Sequence, residues 1–217
     1  MIQRNLLNMN IKEIQEGIKS KHWYYYFDFD GVEVNKKKKN DTALGMYNWN
    51  RIKPVIEEIF TKVDNPHVLN IGCNMGMYDH EMTKIGAKVT AIDFKTENIK
   101  FYKKYIVENR KEEWKVNIRK IDITKDRLKD DSINIILMFC VLYHLGPYQN
   151  EVIQNLISDC PNHKFLILQG NLPRLKKNQP EAGIDGMKNI LEKNSYSIFK
   201  AYEWKNYQKP VVIGERL

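Results

Sequence analysis

Cysteine is scarce in this sequence, and no long apolar run exists. The three cysteines, Cys73, Cys140 and Cys160, are too few and too scattered for a disulfide framework or a zinc centre. No other ligand cluster stands out, so no metal is expected. No run of about 18 apolar residues occurs, which argues against a membrane-spanning helix. The N-terminus, "MIQRNLLNMNIKEIQEGIKS", lacks a continuous apolar h-region and a small-residue cleavage site. A reducing cytoplasm is the expected location. Arginine is also thin beside lysine, and the net charge of +8 is largely lysine in a chain rich in asparagine and isoleucine. Such a charge reads as compositional bias before it reads as a nucleic-acid footprint. The one dense cluster, Lys36 to Lys39, is of a kind more often solvated loop than phosphate site.

What is present suits a single folded unit. At 217 residues and 42% hydrophobic, the chain has enough apolar material for one sizeable core. After residue 64 the patterns alternate. "HVLNIG", "AKVTAID", "WKVNIRKIDI", "SINIILMFCV" and "KFLILQG" are strand-like, with helical stretches "MYDHEMTKIG", "TENIKFYKKYIVENR" and "YQNEVIQNLISDC" between them. A further helix, "GIDGMKNILEKN", leads to two β-like runs, "YSIFKAYEW" and "PVVIGERL". This order predicts an α/β fold: a Rossmann-like, doubly wound, mostly parallel seven-stranded sheet. The last two runs are joined by "KNYQK", too short for a helical crossover, so the last strand should be antiparallel. Residues 1–60 read as a helical and aromatic lead-in and lid, and 61–217 as the main domain.

Ligands of such sheets sit at the carboxyl ends of the strands, where the winding reverses. The first of those ends is "VLNIGCNMG". A dinucleotide fingerprint starting at Gly72 would need two more glycines, but Asn74 and Met77 stand in their places. A pyrophosphate cradle is therefore not expected. Gly72 ends the strand and Gly76 opens the helix, positions where glycine tolerates positive φ and admits close approach of a ligand. A ligand with a nucleoside but no phosphate suits this turn better. Asp93 ends "VTAID", 23 residues after Asn70, where two carboxylate oxygens match a vicinal diol. Asp122 ends "IRKID" and is placed to meet an adenine amino group. Either aspartate taken singly would also serve as a helix N-cap.

Together, "VLNIGCNMG", "VTAID", "IRKID" and "IILMFCVLYHLGP" resemble the class I S-adenosylmethionine-dependent methyltransferases. The resemblance is nearest to the branch holding the tRNA wobble-uridine carboxymethyltransferases and their small-molecule-acting relatives. It spans roughly Trp23 to Leu217. It implies S-adenosylmethionine as cofactor, with Gly72 and Gly76 along its methionine part and Asp93 on its ribose. Asp122 and Ile123 would meet the adenine, and Phe139 would form the floor beside the sulfonium. Asn70, Cys73 and Asn74 join this set as members of the turn. Asn70 stands where the family usually has aspartate, so it can accept a hydrogen bond but offers no charge. Cys73 and Cys140 otherwise read as small core residues.

The fourth motif supplies the chemistry. His144 follows Tyr143 just past the fourth strand, beside the expected sulfonium. A neutral hydroxyl acceptor must lose a proton, which a histidine suits, and Tyr143 is placed to orient the acceptor. The competing role for His144 is a hydrogen bond within its loop or to the cofactor carboxylate. His67 and His163, at strand starts, read as structural, and His80 as solvated or packed. The "WYYYF" cluster reads as a hydrophobic lid or as a stacking surface. Only about 20 residues precede Trp23, too few for a separate RNA-binding domain. The expected acceptor is therefore the hydroxyl of a small polar metabolite or glycan precursor, reached by O-methylation. Methyl or carboxymethyl transfer to a tRNA wobble uridine is the alternative, followed by a non-catalytic cofactor-binding homologue. Oligomeric state cannot be read from these patterns.

Overall fold

The computed structural model describes residues 11–20, 27–29, 32–35, 46–107, 115–170, 183–203 and 209–217. The lysines at 36–39 and the aromatic residues at 23–26 lie outside them. A helix α1 (Ile11–Ser20) and an antiparallel ribbon of β1 (Phe27–Phe29) and β2 (Val32–Val34) precede the main sheet.

That sheet contains β3 (His67–Ile71), β4 (Lys88–Asp93), β5 (Val116–Lys120), β6 (Ile135–Phe139), β7 (Phe165–Gln169), β8 (Tyr196–Tyr202) and β9 (Val211–Arg216). Their spatial order is β5-β4-β3-β6-β7-β9-β8. Every pairing from β5 to β7 is parallel, and β9 runs antiparallel to both β7 and β8. The seven strands and the reversed last one are those the sequence predicts. Winding starts at β3, passes outward to β5, and then crosses back to β6. The crevice between the carboxyl ends of β3 and β6 is thus the point of reversal.

The inner strands are mostly apolar because both faces are covered. On one face, Val68, Ala91, Leu137 and Ile167 pack with helices α2 (Met46–Phe60), α3 (Met77–Lys84) and α4 (Thr96–Phe101). Trp49, Ile52, Ile56 and Ile59 recur at helical spacing along α2, and all four are buried in this core. Alternate residues of the same strands, Leu69, Ile92, Ile136 and Leu168, pack on the other face. Their partners come from α5 (Gln149–Asp159) and α6 (Ile184–Lys193). The histidines follow this packing. His67 bridges Ser132 and Thr90, and His163 contacts Tyr196. His80 is buried with its ring edge-to-face on Phe27.

Two local departures bear on the ligand end of the sheet. The strand β5 stops at Lys120, so Asp122 lies two residues beyond it, in the following turn, and not on the strand end. The helix α4 widens into a π-helical segment at Tyr102–Val107. Consecutive Phe101 and Tyr102 are both buried, which an α-helix with one apolar face accommodates poorly. The wider turn brings the Tyr102 ring against Gly76, where a Cβ would lie only 2.1 Å from it. Gly76 also has a φ of +82°. Replacing Gly76 with alanine should therefore destabilise the protein by about 2–5 kcal/mol, from left-handed backbone cost plus overpacking. Urea unfolding of the two proteins measures this directly, and an unchanged midpoint would contradict it.

Candidate functional site

The turn after β3 is built from backbone before any side chain contributes. Gly72 N–H and Cys73 N–H both donate to the Ile92 carbonyl, at 2.8 and 3.0 Å, joining the ends of β3 and β4. Gly72, Asn74 and Gly76 all take positive φ, at +72°, +52° and +82°. Asparagine tolerates this region better than most side chains, which is why it serves where a middle glycine is missing. A Cβ on Gly72 would approach Val141 to 2.6 Å, so the turn is also pressed against the loop after β6.

Asp93 fixes this arrangement. Its Oδ2 accepts Asn74 N–H at 2.9 Å and its Oδ1 accepts Lys95 N–H at 2.8 Å. Each oxygen retains a lone pair for a ligand hydroxyl. Asp122 folds its own turn, accepting from Thr124 N–H at 3.2 Å and Thr124 Oγ1 at 2.7 Å. Those bonds, with Lys125 beside it, hold its carboxyl below the usual carboxylate range.

A cavity of about 630 Å³ opens between these loops, a size that encloses small organic ligands. Of the eleven residues that the sequence nominates, Asn70, Gly72, Cys73, Asn74, Asp93, Asp122, Ile123, Phe139, Tyr143 and His144 line it. Gly76 does not stand on the cavity wall; it lies behind it, under the Tyr102 ring. Cys73 is buried, and its thiol is pushed well up by burial and then by Asp79 and Asp93. It is a neutral packing residue. Asn70 donates its Nδ2 to Asp79 Oδ1 at 2.6 Å. Burial then raises the Asp79 carboxyl to about 7.

The β6 end brings Phe139, Tyr143 and His144 to the cavity. Phe139 is packed edge-on by Tyr78 from α3, with ring centres 4.8 Å apart. Tyr143 and His144 form one 3₁₀ turn with Leu142, their rings 4.4 Å apart. His144 is exposed at the cavity rim, and its pKa lies below the ordinary value of 6.5. Partial burial is the largest cause, followed by the charges of Lys209 and Lys95. At neutral pH it is an uncharged imidazole able to accept a proton.

Sequence reasoning missed the wall beside it. The Lys209 ammonium donates to Cys140 Sγ at 2.9 Å, and Cys140 donates to Gln169 Oε1 at 3.3 Å. Gln169 Nε2 donates to Asn48 Oδ1 at 3.0 Å, and Asn48 Nδ2 to the Tyr78 hydroxyl at 2.7 Å. Cys140 is half-buried on the cavity wall, not core, and has a left-handed φ of +60°. Such a conformation costs roughly 1–2 kcal/mol for a residue with a Cβ. Asn48, Gln169 and Lys209 are buried and come from distant parts of the chain. Of the three, Gln169 alone has a local signal, as a polar residue ending the apolar run "KFLILQG". Among the described residues, no group of three or more histidine, cysteine or acidic side chains is arranged to hold a metal.

Residues 69–157 match the sequence profile of the family described as "Methyltransferase domain". That stretch is under half of the chain, and over it the sequence is similar to a methyltransferase domain. Solved structures agree on the fold. Magnesium protoporphyrin IX methyltransferase from Synechocystis PCC 6803, with bound S-adenosylmethionine, is 18% identical at a TM-score of 0.62, with 85% of each chain covered. The bifunctional kinase-methyltransferase WbdD is 16% identical at a TM-score of 0.67. That match covers 93% of this chain but only 45% of WbdD. A methyltransferase from Aquifex aeolicus is 19% identical at a TM-score of 0.56, covering 77% of this chain and 98% of that one. No curated protein matches the sequence.

Asp93 offers a direct test of the ribose role. Replacing it with alanine should weaken binding of S-adenosylhomocysteine by about 1.5–3 kcal/mol, the usual worth of hydrogen bonds to a charged group. Calorimetry that finds unchanged affinity removes the assignment.

Proposed function

We propose that this chain O-methylates a hydroxyl of a small polar metabolite or glycan precursor, using S-adenosylmethionine bound in the cavity. One observation carries the reading. Asp93 and Asp122, suited to a nucleoside, share a single chamber with Tyr143 and His144, suited to an acceptor.

In this reading Asp93 holds the ribose and the turn at Gly72 lies along the amino-acid portion. Asp122 and Ile123 flank the adenine, and Phe139 underlies the sulfonium. The cofactor, when bound, supplies an electrophilic methyl carbon. The protein's contribution is chiefly alignment, which alone is worth about 7–11 kcal/mol in well-oriented reactions. The Tyr78–Phe139 contact gives the floor a fixed position, since an edge-on aromatic pair resists sliding. His144 takes the hydroxyl proton at an imidazole nitrogen, and Tyr143 positions the acceptor. The partly polar wall of Tyr78 and Cys140 favours a hydroxylated acceptor over an apolar one.

The base role predicts a specific pH profile. A His144→Ala variant should keep its affinity for S-adenosylhomocysteine and lose about 10²–10⁴ in turnover. In the wild type, turnover should rise with pH through a value below 6.5, because the imidazole pKa is lowered and the neutral form is the active one. Above that value it should be flat. The variant should lack the inflection. Equal turnover in both proteins sinks the base assignment, and loss of cofactor binding makes His144 a pocket residue instead.

A tRNA wobble uridine is the second reading, favoured by the net charge of +8 and by Lys36 to Lys39. Phosphate contacts release counterions and make affinity fall steeply with salt. On the small-acceptor reading, tRNA should bind weakly near physiological salt, and neutralising the four lysines should change little. Tight binding that those substitutions abolish would make tRNA the better acceptor.

A further inference from the structure

The buried acid behind the glycine turn is not used by the roles above. Asp79 sits in the first turn of α3, fully buried, and its Oδ1 accepts the Asn70 amide N–H at 2.6 Å. Its Oδ2 has no well-directed hydrogen bond. The titratable groups that face it are the Tyr102 hydroxyl from the π-helical segment and the Cys73 thiol from the glycine turn. Neither supplies positive charge. A buried carboxylate with neutral surroundings is costly unless something compensates it, so its place here asks for a reason.

Asn70 provides one. It lines the cavity, and because Nδ2 is committed to Asp79, the amide's other end, Oδ1, is fixed in orientation. Oδ1 accepts no hydrogen bond from any described residue. We propose that Asp79 is a positioning residue for the cofactor: it locks the Asn70 amide so that the carbonyl oxygen receives the cofactor's amino-acid ammonium. The negative charge that asparagine cannot carry then stands one hydrogen bond behind it. This rests on the cofactor reading above and extends it.

Protonation reverses the arrangement. A protonated Asp79 loses its charge and gains one donor, and with the proton on Oδ1 that donor suits the Asn70 oxygen and not its NH₂ group. The amide then turns over and presents N–H donors to the ammonium. Burial raises the Asp79 carboxyl to about 7, so the exchange falls in an accessible range. The signs follow. With the folded pKa above the unfolded value, the free protein gains protons on folding between about 4 and 7, and its stability falls as pH rises across that window. Ligand affinity has the opposite slope, being full above pH 7 and lost below it.

The test is calorimetry with S-adenosylhomocysteine and, in parallel, 5′-methylthioadenosine, which shares the nucleoside but lacks the amino-acid part. Wild-type affinity for S-adenosylhomocysteine should fall about tenfold or more from pH 8 to pH 5.5, while that for methylthioadenosine holds. Asp79→Asn should lose a similar factor at pH 8, again for S-adenosylhomocysteine alone. The double variant Asn70→Asp with Asp79→Asn, which moves the charge to the cavity wall, should regain it. If pH and Asp79→Asn change both ligands equally, or change neither, the positioning role is overturned, and a double variant that fails to regain affinity counts against it too. Should the single variant not fold, the wild-type pH series decides by itself. No binding of either ligand to wild type at any pH would instead remove the cofactor reading on which this rests.

Discussion

The Asp93 carboxylate accepts one backbone N–H from each of two loops, Asn74 in the glycine turn and Lys95 at the mouth of α4. The rest of the ligand end is arranged around that clamp. A turn with three left-handed residues has few conformations available, and beyond the burial of Cys73 and Met75 it needs external partners to hold one of them. The Ile92 carbonyl supplies one through Gly72 and Cys73, and Asp93 supplies the other. A carboxylate that organises its own loops has its oxygens already aimed. A diol entering the cavity then meets a rigid acceptor and loses little to reorganisation.

Much of this was legible because it is local. A mostly parallel seven-stranded sheet follows from alternating patterns, and its antiparallel last strand from a final connection too short to cross the sheet, and the structure keeps both. The position of Asp93 was readable because a strand end is a few residues wide. Asp122 shows the limit of such reading. Its strand is the outermost parallel one, with only Ile118 fully buried, and nothing in the pattern marks where pairing stops. The role of Gly76 was also misjudged from sequence. Glycine after a strand suggests a ligand's approach, but here the approaching atoms belong to Tyr102, delivered by a π-helical widening that spacing rules do not foresee. The pairing of the polar wall was not legible in local sequence. Asn48 and Gln169 lie 121 residues apart, and only the crossing of α2 over the end of β7 joins them.

The distribution of charge matters more than its sum. The chain is basic overall, yet the glycine turn is flanked by Asp79 and Asp93, while the charges of Lys209 and Lys95 act on His144. Across a low-dielectric interior such separation is felt over longer distances than in water. One end is thus suited to a cationic ligand group, and the other keeps its imidazole neutral. Those two requirements conflict if placed together, because a carboxylate beside His144 would raise its pKa and favour the charged imidazole. The sheet resolves this by geometry. The first turn of α3 carries Asp79 and the end of β4 carries Asp93, β6 carries the histidine beyond its end, and Phe139 stands in the cavity wall just ahead of that turn. Cys140 is the residue that makes the change of direction, and its left-handed backbone is the cost of turning the chain from a buried strand into a half-open 3₁₀ turn within two residues. Gln169 at the end of β7 and Lys209 just before β9 both bond its side chain, which ties the start of the turn that carries Tyr143 and His144 to the sheet.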